Sequence, residues 1–137
     1  MLLATVFAFT LFGCGGHSEE TQSSCFDIQP SANQGVYGCV VSFNDTPSFY
    51  TVVVDGFVVN AFPSNVLTRY PYGPAAPVAT AKSDARGFYE LSLPPGGYSL
   101  CSSSYQCIEI SIGPGAILRW NYDTPAGWFR SSKTASH

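Results

Sequence analysis

Hydrophobic and polar residues alternate with a period of two in the centre of the chain, and this pattern predicts a β-strand with one buried face. Three apolar residues fall on one side of the strand and two polar residues on the other: Tyr89, Leu91, Leu93 and Glu90, Ser92. A tight turn is predicted just before it, because Asp84 can bond to its own backbone and Gly87 tolerates a positive φ. The run Pro-Pro-Gly-Gly at 94–97 predicts a second turn.

Similar alternation predicts further strands on both sides of this segment, at residues 36–43, 57–62, 78–83, 98–101, 107–112 and 116–122. In the last of these, the pattern places Leu118, Trp120 and Tyr122 in the core. Residues 50–54 predict an extra strand. Taken alone, the pair Asp55-Gly56 between two β-branched runs indicates a two-residue hairpin. Four prolines within residues 63–77 predict a long loop.

The run S-D-x-x-G-F-Y-E-L-x-L-P-P-G-x-Y-S-L at residues 83–100 resembles the core motif of the carboxypeptidase regulatory-like domain, a transthyretin-like (prealbumin-type) β-sandwich. The resemblance implies an all-β, seven-stranded sandwich over residues 35–123, followed by a polar tail over 124–137. It also implies that residues 57–62 form one strand opened by Gly56, in place of the hairpin. Domains of this family are accessory or binding modules rather than catalysts.

The first 13 residues form an apolar run, which is shorter than the roughly 20 residues that span a bilayer. The run is typical of the hydrophobic region of a signal peptide, although no Lys or Arg precedes it. It ends in L-F-G-C, which resembles the bacterial lipobox, where cleavage leaves the cysteine, here Cys14, as an acylated (palmitate-bearing) first residue. The alternative is a buried strand or helix followed by a structural cysteine.

Residues 14–34 are predicted to form the lipidated cysteine and a flexible tether, since Gly15 to Ser24 is small, polar and acidic. Gly15 stands where an Asp marks inner-membrane retention in many bacterial lipoproteins. The resemblance therefore implies a membrane-anchored protein of the bacterial cell envelope, in the outer membrane.

The remaining cysteines are even in number, which outside the cytoplasm predicts disulfides with three possible connectivities: Cys25, Cys39, Cys101 and Cys107. The alternation turns Cys101 and Cys107 away from the core on adjacent strands, so they are predicted to pair. By elimination, Cys25 pairs with Cys39. The alternative, a zinc site, is disfavoured because 13, 61 and 5 intervening residues match no ligand spacing.

Charge and the supply of reactive side chains exclude several functions. The net charge is −3 and the six Lys and Arg are scattered, which argues against nucleic acid as a partner. The only histidines, His17 and His137, lie in segments expected to be mobile, so neither provides a fixed base or metal ligand. Asp84 is interpreted as a turn residue rather than a calcium ligand, because residues 85–87 supply no carboxylate. No cofactor, metal or catalytic residue is predicted.

Aromatic residues remain as candidates for binding, because five of them fall in predicted loops or in the tail: Tyr70, Tyr72, Tyr105, Trp128 and Phe129. Tyr70, Tyr72 and Trp128 are the predicted ligand-binding residues, although packing onto their own domain is the more common role of such rings. The predicted function is a non-catalytic, lipid-anchored envelope module that contacts a protein or a surface polymer. The alternatives are a carbohydrate-binding module and, less favoured, a hydrolase with an unrecognised site.

Overall fold

A computed structural model describes residues 25–43, 51–69 and 76–130, which form two β-sheets packed face to face. In chain order the strands are β1 Gly35–Phe43, β2 Thr51–Val53, β3 Val58–Pro63, β4 Ala79–Lys82, β5 Phe88–Ser92, β6 Gly96–Ser102, β7 Cys107–Ile112, β8 Ile117–Arg119, β9 Asn121–Asp123 and β10 Gly127–Phe129. A short 3-10 helix, Cys25–Asp27, precedes β1, and a single helical turn, α1 (Val66–Arg69), follows β3.

The first sheet is built around β1, the longest strand of the described chain. One edge of β1 pairs antiparallel with β5 along its first half and with β2 along its second half. The opposite edge pairs in parallel with β8 and then β9, and β10 adds to β9. The second sheet has the order β4-β3-β6-β7, and all its pairs are antiparallel. The prediction of an all-β protein with two sheets is confirmed, but the described residues form ten strands where seven were predicted, because β2 and β10 add to the first sheet and the last predicted strand is divided into β8 and β9.

The core lies between the sheets and contains the side chains that the alternation placed there. Tyr89, Leu91 and Leu93 are each at most 3% exposed, and they meet Leu100 and Ile110 from the second sheet. The turn before β5 also forms as predicted, with Asp84 Oδ1 accepting hydrogen bonds from Arg86 N at 2.8 Å and Phe88 N at 3.2 Å. These local predictions succeed because each depends on neighbours in sequence.

The hairpin indicated by Asp55-Gly56 does not form. β2 pairs with β1 of the first sheet, whereas β3 belongs to the second sheet, so the turn carries the chain across the sandwich. Buried Ser83 holds this crossing, since its Oγ donates to Val54 O at 2.6 Å and accepts from Phe57 N at 2.9 Å. The extra strand predicted within residues 50–54 is β2, and the single strand predicted over 57–62 is β3, which runs from Val58 to Pro63.

Three other boundaries differ from the sequence prediction. Val66–Arg69 is a helical turn inside the segment predicted to be a loop. The sandwich continues beyond residue 123, because β10 lies in the predicted polar tail and pairs with β9. Residues 25–34 were predicted as the end of a flexible tether, but they pack on the first sheet: Cys25 is 3% exposed and contributes to a cluster with Val41 and Phe88.

The last predicted strand is interrupted at Trp120, which separates β8 from β9. Trp120 N donates to Tyr37 O at 2.9 Å, and Trp120 O accepts from the hydroxyl of Tyr89 at 2.6 Å. Leu118 and Trp120 pack against the core as predicted but are only half-buried, and Tyr122 is fully in the core. Asn121, predicted to face outward, is completely buried, and its Oδ1 accepts from Cys39 N at 2.9 Å.

Candidate functional site

Trp128, a predicted ligand-binding residue, packs against its own domain. Its indole Nε1 donates to the carbonyl oxygen of Gln106 at 2.8 Å. Its ring and the Tyr122 ring form a T-shaped pair with centroids 4.9 Å apart, and Phe57 stacks on Tyr122 with centroids 4.8 Å apart. The indole N–H and the ring of Trp128 are therefore both engaged within the sandwich, as self-packing requires.

Gln106 links the β6–β7 loop of the second sheet to strands β9 and β10 of the first. Its side-chain Oε1 accepts from the hydroxyl of Tyr122 at 2.9 Å, while its carbonyl oxygen accepts from Trp128. Its backbone N also donates to Ser102 Oγ at 3.1 Å. This residue was not singled out from the sequence, since a polar loop residue has no pattern that predicts its partners.

Tyr105, in the same loop, is 46% exposed and adopts a positive φ of 59°. Its ring stacks on Phe62 with centroids 6.3 Å apart. Tyr105 precedes Gln106 in the chain and packs on Phe62, whereas Trp128 is bonded to Gln106 O. The other predicted ligand-binding residues, Tyr70 and Tyr72, lie outside the described residues, and their grouping with Trp128 stays a prediction.

The four cysteines meet in the predicted pairs. The sulfur atoms are 2.09 Å apart in Cys25–Cys39 and 2.03 Å apart in Cys101–Cys107. Cys101 does point away from the main core, but this side of the second sheet is not open to solvent. Cys101 is completely buried in a smaller cluster with Phe62 and Val66. Cys14 lies outside the described residues, so its lipidation stays a prediction.

A second aromatic group lies on the outer side of the first sheet, the side turned away from the core. The ring of Phe129 contacts Phe43 with a centroid distance of 5.8 Å and Phe26 with a distance of 6.4 Å. Val53 lies on the same side, because it pairs with Val41 of the outer-side cluster. Phe43 and Val53 are each 36% exposed, which makes this an apolar surface that the domain only partly covers.

The distribution of apolar residues along β1 accounts for this outer surface. Its even-numbered residues Val36 and Val40 are in the core, but the odd-numbered Cys39, Val41 and Phe43 are also apolar. A strand that is apolar on both sides needs cover on both sides. Residues 25–34 supply part of that cover. The exposed part, at the Phe43 end, was not recognised as a candidate site.

Arginine side chains border this outer side. The guanidinium of Arg119 lies 5.0 Å from the ring centroid of Tyr37, and that of Arg86 lies 5.7 Å from the centroid of Phe88. The two rings are neighbours, with centroids 6.2 Å apart. Cation–π contacts of this kind hold the charged groups flat on the surface.

The acidic groups on this side are engaged. Partial burial alone would raise the pKa of Asp84, but hydrogen bonds from Arg86 and Phe88 and the charge of Arg86 together hold it below its ordinary value. Glu90 accepts hydrogen bonds from the hydroxyl and backbone N of Ser31 and from Ala32 N. The Ser31 hydroxyl bond is the main reason that the pKa of Glu90 is lowered, against a smaller opposing effect of burial.

The described part of the chain offers few side chains for acid–base or metal chemistry. No three His, Cys, Asp or Glu residues within it lie close enough to hold a metal ion. The closest approach to a reactive pair is Ser99 and Glu109, whose side chains are hydrogen-bonded. Both are engaged at the start of α1, where Ser99 Oγ accepts from Val66 N at 3.1 Å and Glu109 from Asn65 N at 3.1 Å.

Comparison with known proteins does not assign the chain to a group. No protein-family model matches it, and neither a curated protein nor a solved structure matches it significantly. Within residues 25–43, 51–69 and 76–130, no helix is long and apolar enough to span a membrane.

Proposed function

We propose that this protein is a non-catalytic, lipid-anchored module of the bacterial cell envelope, built on a transthyretin-like sandwich. It contacts a protein or a surface polymer there. The observation that carries the proposal is the pairing of all four described cysteines on a domain that starts eleven residues after Cys14. Disulfides are rare in the cytoplasm of mesophiles and common outside it. Paired cysteines therefore support the export that the apolar start and the L-F-G-C run at 11–14 predict.

The transthyretin-like assignment is supported by the segment on which the resemblance depends. Asp84 and Gly87 form the turn, with Gly87 at a φ of 77°, and the next residues form β5 with Tyr89 and Leu91 in the core. The motif thus occupies the turn and strand that the resemblance implies. The family assignment carries the expectation of an accessory role.

A non-catalytic role is supported by the way the polar side chains are used. Ser99 and Glu109 bind the backbone at α1, Asp84 binds its own turn, and Glu90 binds residues 31–32. A general base or nucleophile must be free to reach a substrate. These side chains instead form hydrogen bonds that stabilise the fold.

A carbohydrate-binding function has weaker support, because Trp128 is half-buried against the core, with its N–H bonded to Gln106 O and its ring in contact with Tyr122. Sugar binding by aromatic side chains needs an accessible ring face. We expect no retention of the wild-type protein on immobilised envelope polysaccharides through Trp128. Retention that is lost in Trp128→Ala, with the fold intact by circular dichroism, would favour the carbohydrate module instead.

Metabolic labelling tests the anchor directly. The full chain is expressed in a bacterial host with labelled palmitate, beside a Cys14→Ser variant. We expect label on the wild-type protein, which fractionates with membranes, and none on the variant. Label on neither protein would contradict the lipid anchor. Alkylation of the unreduced protein gives a second readout, because free thiols at residues 25, 39, 101 and 107 would contradict export to an oxidising compartment.

A further inference from the structure

Four apolar side chains on the outer side of the first sheet define what we call the tether-end patch: Phe26, Phe43, Val53 and Phe129. The three rings are in contact through Phe129. Phe43 and Val53 are each 36% exposed, and Phe26 and Phe129 are half-buried. Grouped apolar side chains that a domain leaves partly uncovered are a candidate interaction surface.

The position of the patch in the fold indicates what covers it. Phe26 follows Cys25, which is bonded to Cys39 of β1, so the chain enters the domain at the patch itself. Only eleven residue steps separate Cys25 from Cys14. A chain of eleven residue steps cannot span more than about 40 Å, even when fully extended. A lipid on Cys14 therefore keeps the patch within about 40 Å of the bilayer.

The charged groups around the patch suit a lipid surface. Arg86 and Arg119 lie on aromatic rings of the same side of the sheet. The carboxylates on this side already accept hydrogen bonds: Asp84 from Arg86, Glu90 from residues 31–32, and buried Asp123, beside the patch, from Phe43 N at 3.4 Å. Among the described residues, Arg119 has no carboxylate within ion-pair distance. Aromatic side chains beside Arg are typical of segments that lie in the headgroup region.

We infer that the tether-end patch rests in the headgroup region of the membrane that carries the lipid anchor, so that the first sheet faces the bilayer. The second sheet and the β6–β7 loop with Tyr105 then face away from the membrane, toward the partner. This inference rests on the proposed lipid anchor at Cys14, and it adds the orientation in which the anchored domain is held.

Quenching by brominated lipid measures this orientation. The lipidated full-length protein is placed in vesicles of phosphatidylethanolamine and phosphatidylglycerol, with or without brominated acyl chains. Phe43→Trp reports on the patch. Val78→Trp is the matched control, since Val78 is also an exposed aliphatic residue, at 54%, but precedes β4 of the second sheet. Wild-type protein supplies the contribution of Trp120 and Trp128, which is subtracted.

We expect the added fluorescence of Phe43→Trp to be quenched at least about twofold more than that of Val78→Trp, because interfacial side chains lie about 5–10 Å into the headgroup boundary. Val53→Trp is the second reporter if Phe43→Trp does not fold. Equal quenching at both sites in protein whose intact mass includes the acyl chains would overturn the orientation and leave the anchor standing.

Two other outcomes would also decide against the inference. An intact mass without acyl chains removes the lipid anchor, and the orientation fails together with the proposed function. A blue-shifted Phe43→Trp emission without quenching, in protein that crosslinks as a dimer, would mean that a second copy covers the patch.

Discussion

Replacing Gly38 with alanine tests the closest approach in the first sheet. A Cβ at this position would lie 1.8 Å from Trp120 O and 2.6 Å from Trp120 C, whereas ordinary contact begins at 3.4 Å. The obstacle is backbone, which cannot rotate away as a side chain can. Accommodating the methyl group therefore requires β1 and Trp120 to separate by more than 1 Å.

The expected loss of stability follows from what that separation breaks. Overpacking in a core costs about 1–3 kcal/mol. Moving Trp120 also breaks the hydrogen bond from the hydroxyl of Tyr89, and a buried polar group left without a partner costs about 1–3 kcal/mol. We therefore expect Gly38→Ala to lower the free energy of unfolding by about 2–6 kcal/mol, a large part of the 5–15 kcal/mol typical of a domain.

Urea unfolding of the unreduced protein, followed by tryptophan fluorescence, measures this loss. Gly113→Ala is the matched control, because no heavy atom lies within 4 Å of its added Cβ and Gly113 does not adopt a positive φ. We expect it to change stability by less than about 1 kcal/mol, in the stabilising direction. Equal unfolding midpoints for Gly38→Ala and Gly113→Ala would refute the contact between β1 and Trp120.

Three further changes test other contacts. Burial raises the pKa of Tyr89 well above its ordinary value. The stability that depends on the neutral Tyr89 side chain is therefore fully present below about pH 10 and falls as the pH rises above it. In urea titrations, Tyr89→Phe should lose less stability at alkaline pH than the wild type does. Because the pKa of Glu90 is lowered in the folded state, the stability that Glu90 contributes is present above about pH 4 and is lost as the pH falls through its folded-state pKa. If Glu90→Gln loses stability with falling pH as steeply as the wild type does, this prediction is contradicted. Replacing Cys25 and Cys39 together by serine should cost about 3 kcal/mol of unfolding free energy for a loop of this length, and an unshifted melting temperature would show that the bond is not formed.

Local chemistry made part of this fold predictable from sequence. The turn at Asp84 and the strand after it are specified by adjacent residues, and period-two alternation identified the core residues of β5 and β7. The pairing of Cys101 with Cys107 could also be predicted, because it depends only on the phase of two neighbouring strands. In each case the deciding partner lies a few residues away in the chain.

Other features depend on partners distant in sequence and could not be predicted in this way. Asp55-Gly56 has the composition of a hairpin turn, but β2 finds its partner in β1 and β3 finds its partners in the second sheet. β10 consists of three residues in a polar segment and is placed by pairing with β9. The bridging role of Gln106 exists only when the two sheets meet.

The start of the domain bears on how it is held at the membrane. Residues 25–34 cover the outer side of β1 through Cys25 and through the bonds from Ser31 and Ala32 to Glu90. Residues 25–34, predicted as the end of the tether, are therefore part of the domain. Because the described chain enters the domain beside Phe26, an anchor at Cys14 would hold one particular side of the sandwich against the bilayer.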